Sequence, residues 1–166
     1  DWLRPLCADA DRFIFDTGRL RSGEELAQLA QVLPELWPGR EAQVELMDLG
    51  WLRLWPWRLL VSSLYETPES RTGLAQLREI EVGYQAGGKA QALLCAGWLI
   101  GRLGLVQTGT LEEDGSVGLL PGPGSPVTCP VRLRLCESET ACRATGLSHV
   151  TLRQADHELS AQNAAG

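Results

Sequence analysis

The sequence predicts an α+β fold: helices packed on a mostly antiparallel sheet, with a short N-terminal strand–helix piece of α/β character. Three observations predict it. A strand–turn–helix pattern opens the chain, helical apolar spacing dominates from Asp48 to Leu103, and short alternating segments punctuated by glycine and proline follow Gly115.

Taken in order, Arg12 to Phe15 is a short apolar run ended by Asp16, Thr17 and Gly18, which reads as a strand entering a turn. Ser22 and Glu25 fit a capping box, and Leu26, Leu29, Ala30 and Leu33 recur at helical spacing, so a helix should run to Leu33 and stop at Pro34. A loop with Trp37, Pro38 and Gly39 follows. Asp48 is a good N-cap for Leu49 to Leu54. Pro56 suits the first turn of a second helix with Trp57, Leu60, Val61 and Leu64 on one face, and Pro68 should end the pair. Glu79 to Tyr84 alternates as a half-buried strand does, with Ile80, Val82 and Tyr84 inward. After Gly87 and Gly88, Lys89 to Leu103 is apolar on most sides and reads as a buried helix that Gly104 ends. Val131, Leu133 and Leu135 alternate with arginines, and His149 to Arg153 is a further strand pattern. The end from Ala161 has little to bury and should fray.

At 166 residues the chain can support one substantial core. Residues 1–45 read as the tail of a preceding α/β region, and 46–166 as a C-terminal α+β domain. A start at Asp1 with no signal-peptide pattern reads as a piece of a longer protein. A net charge of −6 without a local basic cluster argues against nucleic acid. The longest apolar run, Ala92 to Ile100, is about half of what a bilayer-spanning helix needs. Five cysteines without a close pair favour a reducing, cytoplasmic setting.

Gly83 to Ala90 matches G-x-x-x-x-G-K between a strand and a helix, as a phosphate-cradling loop would, and nucleotide binding is therefore the alternative function. Ala90 stands where that loop needs a hydroxyl for Mg²⁺, so a plain strand-to-helix connection is the simpler expectation. Cys129, Cys136 and Cys142, even with His149 and His157, match no zinc spacing, and no metal is expected. Two of the three cysteines could still form a redox pair if brought within about 7 Å. No G-x-S-x-G motif is present, and no catalytic residue is assigned. Trp51, Trp55 and Trp57 lie close together beside Arg53 and Arg58, the residue types that dominate interface hot spots.

Asp48-Leu-Gly-Trp51-Leu-Arg53-Leu-Trp55-Pro-Trp57-Arg58-Leu-Leu60, with the later Ala96-Gly97-Trp98-Leu99 and Arg102, resembles the C-terminal part of the glucose-6-phosphate dehydrogenase assembly protein family, OpcA. The resemblance implies a non-catalytic assembly factor and allosteric activator. Such a protein binds glucose-6-phosphate dehydrogenase and promotes its active oligomer in the oxidative pentose phosphate pathway, without a cofactor. It also implies thiol redox control in part of the family, which would give the Cys129, Cys136 and Cys142 group a use and a protein such as thioredoxin a role as partner. Trp51, Arg53, Trp55, Arg58 and Arg102 are the expected partner-binding residues. Asp48, Trp57, Gly97 and Trp98 are expected to hold the motif's structure.

Overall fold

The computed structural model describes residues 10–20, 22–36, 44–138 and 146–162. Strand β1 (Arg12–Phe15) leads into a 3-10 turn over Thr17–Arg19, and Ser22 then caps helix α1 (Gly23–Val32) by accepting the Glu25 amide at 3.2 Å. The α-helix ends before Pro34, as the sequence predicts, but Pro34 does not end the helical path. It sits in a 3-10 turn, Leu33–Leu36, near whose start a missing N–H costs nothing. The Trp37–Pro38–Gly39 loop lies outside the described residues. Strand β2 (Glu45–Asp48) returns parallel to β1, with Leu36, Val44, Phe13 and Leu33 forming a small apolar cluster of their own. This is the α/β piece that the sequence predicts.

Helices α2 (Leu49–Arg53) and α3 (Trp55–Ser63) follow directly. On α3 Val61 is buried and Trp57 and Leu64 are partly buried, but Leu60 is exposed, so the inward stripe is narrower than expected. Pro68 does not only end this pair. It also starts a short helix α4 (Pro68–Gly73), capped by Thr67, because proline's fixed φ suits a first turn.

Strand β3 (Leu77–Tyr84), helix α5 (Lys89–Arg102), β4 (Leu105–Gln107), β5 (Ser116–Pro121), β6 (Val131–Glu137), β7 (Leu147–Gln154) and β8 (Glu158–Gln162) complete the fold. The strands form one sheet in the order β4-β5-β6-β3-β7-β8. Among the described residues every pairing within this sheet is antiparallel except β3 with β6. Helix α5 lies across β3, β4 and β6, burying Ala92, Cys95, Ala96 and Leu99 against Ile80, Val82, Leu133 and Leu135. No helix among the described residues is long and apolar enough to cross a membrane.

Two expectations change with the topology. Strand β3 is not half-buried, because Glu81 and Gly83 on its second face are buried too, flanked by β6 on one side and β7 on the other. Ala161 does not begin a frayed end: it is buried in β8, opposite Val150.

The opposite face of the sheet carries a cross-strand charge ladder. Glu79 stands beside Arg132 and Arg153, and Glu81 beside Arg134. Directly opposed unlike charges favour this register over a one-residue slip, which would set the β3 carboxylates opposite the apolar residues of β6.

Asp48 joins the N-terminal piece to the rest. Its carboxylate accepts from the Gly50 amide at 2.8 Å, capping α2, and from both the Thr17 amide and the Thr17 hydroxyl. Gly50 makes this possible, because a Cβ there would overlap Thr17 Oγ1 and stand 2.8 Å from the Gly18 nitrogen. Gly50→Ala is therefore expected to destabilise the protein by about 1–3 kcal/mol, the usual cost of overpacking, as a lower midpoint in urea unfolding.

Candidate protein-docking site

The α2–α3 corner stacks an arginine between two tryptophans. The Arg58 guanidinium carbon lies 4.0 Å from the Trp51 ring centroid and 5.5 Å from that of Trp55, within cation–π range. Trp51 and Trp55 are four residues apart, so a helical path puts their rings on one side, where Arg58 reaches both. Arg58 Nε is buried and has no hydrogen-bond partner among the described residues.

Trp55 is 64% exposed and Leu59, one turn later, is 62% exposed. Leu52 and Leu60 are exposed beside them. Between α3 and α5 runs a mainly apolar groove of about 240 Å³, lined among others by Val61, Tyr65, Trp98, Leu99 and Arg102. It meets a second hollow of about 230 Å³ walled by Trp55, Arg58 and Leu59. Ser62, Trp98 and Arg102 line both, so the two form one trough. An apolar floor with cationic groups at its rim suits a protein segment carrying apolar and acidic side chains.

The remaining candidates divide by role. Arg53 is held in a bidentate ion pair with Asp16, whose carboxyl it keeps below the usual range by hydrogen bonding, against an opposing effect of burial. It braces the turn after β1 while half its side chain stays exposed. Trp57 and Trp98 are partly buried and pack against the core. A Cβ at Gly97 would meet nothing within 4 Å, so no crowding among the described residues requires a glycine there.

The cysteines separate as well. Cys129 is buried and donates to the Leu77 carbonyl at 3.0 Å, at the start of β3, whereas Cys136 lies opposite Gly83 near the other end of that strand. At about 3.3 Å per residue the two thiols are far beyond disulfide reach. Cys142 lies outside the described residues. Cys95, which sequence reasoning left without a role, is in the core, its thiol pKa pushed up to about 12 by burial.

In the Gly83–Lys89 segment two of the amides that a phosphate cradle would use are already bonded within the fold. Gly83 and Tyr84 belong to β3, and the Gln85 amide donates to Gly146 O at 2.9 Å. The Gly88 amide closes a tight turn onto Gln85 O at 2.7 Å. Gly83 serves a different purpose: a Cβ there would overlap the His149 ring, which lies across the strand.

That ring completes a cluster the sequence did not reveal. His149 Nε2 is 3.0 Å from Glu81 Oε1 and 3.9 Å from Cys136 Sγ, while Arg134 and Arg153 each approach Glu81 Oε2 at 3.3 Å. Burial works to raise the Glu81 pKa, but the hydrogen bonds from His149 and Arg153 and the charges of Arg153 and Arg134 outweigh it. The carboxyl therefore titrates below its ordinary value. The Cys136 thiol is pushed up by burial and by the Glu81 charge, so it is a neutral thiol near neutral pH. Only strand register places these three side chains together, and no local spacing encodes it.

Residues 44–164 match the OpcA family model, which describes the C-terminal domain of a glucose-6-phosphate dehydrogenase subunit. The chain belongs to this family. Among its relatives is the OxPP cycle protein OpcA of Synechocystis sp., 35% identical over 101 residues, 59% of this chain and 19% of that protein. Those of Nostoc punctiforme and Synechococcus elongatus are 39% and 36% identical over 75 and 64 residues, covering 45% and 39% of this chain and 16% and 14% of theirs. The aligned part thus spans less than a fifth of each of these relatives. The OpcA match includes the tryptophan–arginine corner, the trough and the strands after Gly115, where the motif resemblance gave no guide, while β1 and α1 lie ahead of it.

Because the folded state holds Glu81 ionised below its ordinary pKa of 4.5, the stability this gives is complete above that value. It is lost as the pH falls through the lower folded value. Glu81→Gln is expected to flatten the fall in melting temperature between about pH 5 and 3, which a thermal melt series at stepped pH checks.

Proposed function

We propose that this domain is a non-catalytic docking module that binds glucose-6-phosphate dehydrogenase through the α2–α3 corner and the trough against α5. Residues 46–166 act as the C-terminal α+β domain, and residues 1–45 as the end of a preceding α/β region. The observation that carries the proposal is the exposed Trp55–Leu59 surface beside the Arg58 and Arg102 rim, inside the region matched by the family model. The relatives are named for the OxPP cycle, and the family description names a dehydrogenase subunit, which supports the choice of partner.

The mechanism is differential affinity. A module that binds the active oligomer of the dehydrogenase more tightly than its inactive form shifts the population toward activity, and the enzyme's substrate in turn tightens the module's binding. Trp55 and Leu59 supply desolvated apolar area, and Arg58 and Arg102 supply charge that selects an acidic edge. Gly97 and Gly101, with open space over both, let a partner backbone approach α5 closely. Control through Cys136, a partly buried thiol, by a cytoplasmic thiol-exchange protein such as thioredoxin belongs to the same proposal.

Adding the protein to the dehydrogenase from the same source should raise both activity and complex mass, measured together by assay and light scattering. No change in either overturns the proposal. Replacing both Trp55 and Leu59 by alanine should weaken binding at least about 10-fold with the melting temperature kept, because both side chains are mostly in solvent.

A further inference from the structure

We propose that Glu81, Cys136 and His149 form a binding site for a borderline-soft divalent cation of the zinc type, on the sheet face opposite the helices. This inference is independent of docking to the dehydrogenase.

The site is assembled from three adjacent strands. Gly83 on β3 is the register partner of Cys136 on β6 and of His149 on β7, so those two side chains flank the same glycine on the same face. Glu81 precedes it by two residues and shares that face. With no side chain on Gly83, the imidazole lies across β3 and brings Nε2 to the other two donors.

The donor atoms lie within 4.8 Å of one another. Bonds of about 2.0–2.3 Å to nitrogen, oxygen and sulfur in a tetrahedral site imply edges of about 3.3–3.6 Å. The observed 3.0 Å from nitrogen to oxygen and 3.9 Å from nitrogen to sulfur bracket those values, and the sulfur–oxygen edge, within 4.8 Å, closes by rotation of the Glu81 and Cys136 side chains.

His149 Nε2 lies near both Glu81 Oε1 and Cys136 Sγ, and one hydrogen bond can join it well to only one of them. A divalent cation can serve both. The surroundings are those of ligands already held in place. Ser148 Oγ is 3.1 Å from His149 Nδ1 and can accept from Nδ1–H, the tautomer in which Nε2 gives up its proton to Glu81 and offers a lone pair to the cation. Arg134 and Arg153 engage the far oxygen of Glu81 and leave Oε1 to the cation. Their charges oppose any divalent cation, and the thiolate and imidazole donors make up for this only with ions that bond sulfur and nitrogen, not with magnesium or calcium. Binding forms a sulfur–metal bond and releases the Cys136 thiol proton to solvent. Three protein ligands leave the fourth position to water or to a group brought by another molecule.

The test is a cobalt(II) titration of the reduced, intact protein, followed by displacement with zinc. The expected result is a near-ultraviolet thiolate-to-cobalt band that saturates at one ion per chain and is lost on adding zinc. The band should disappear in Cys136→Ser and weaken at least about 10-fold in affinity in His149→Ala, while Cys129→Ser leaves it unchanged. Absence of the band, or its survival in Cys136→Ser, overturns the proposal. Should these variants unfold, alkylation of the wild-type protein with peptide mapping decides: zinc, but not magnesium, should slow labelling of Cys136 at least about 10-fold. Equal labelling with and without zinc overturns the site. None of these readouts uses the dehydrogenase, so their failure leaves the docking proposal standing.

Discussion

The carboxylate of Glu81, at the centre of the sheet with 11% of its side chain exposed, is the constraint around which the strands are arranged. A charge so little hydrated is tolerated only when other groups replace the lost water. Here the replacements come from both flanking strands: Arg134 from β6, and His149 and Arg153 from β7. Moving either strand by one residue would strip the carboxylate of partners and turn that strand's apolar side chains away from α5. The ion pairs and the apolar core therefore select the same register from opposite faces of β3.

A second carboxylate, Asp48, does the equivalent work at the edge of the fold. It ends β2, caps α2 and takes two hydrogen bonds from Thr17, so the turn after β1, the helix pair and the parallel strands meet at one side chain. The Asp16–Arg53 pair spans the same junction. With the start of α2 fixed in this way, the tryptophan–arginine stack has a defined base, and Trp55 and Leu59 are held outward rather than collapsing into the core. An exposed aromatic surface on a braced helix loses less conformational entropy on binding than one on a loop.

The two faces of the sheet thus differ in chemistry. One is covered by helices whose outer surface carries the apolar trough, and the other is an open ladder of charges with a thiol and an imidazole at one end. They are joined through β3, whose Ile80 and Val82 lie under α5 and whose Glu81 and Gly83 support the cluster.

Local signals in the sequence determined helices α1, α2, α3 and α5, the Ser22 and Asp48 caps, strands β1, β3, β6 and β7, and the tryptophan–arginine motif. Hydrophobic period, a capping aspartate and proline at a first turn act over a few residues and need no knowledge of the rest of the chain. Burial on both sides of β3, the parallel pairing of β3 with β6, and the inclusion of Ala161 in β8 needed the tertiary structure, because strand order joins residues far apart in sequence. The same is true of the site. Trp55 and Arg58 were legible from their spacing, but the trough exists only where α3 meets α5. Gly83, which the sequence offers as a phosphate-loop glycine, makes room for His149, far along the chain, a fact fixed by the register of β3 against β7.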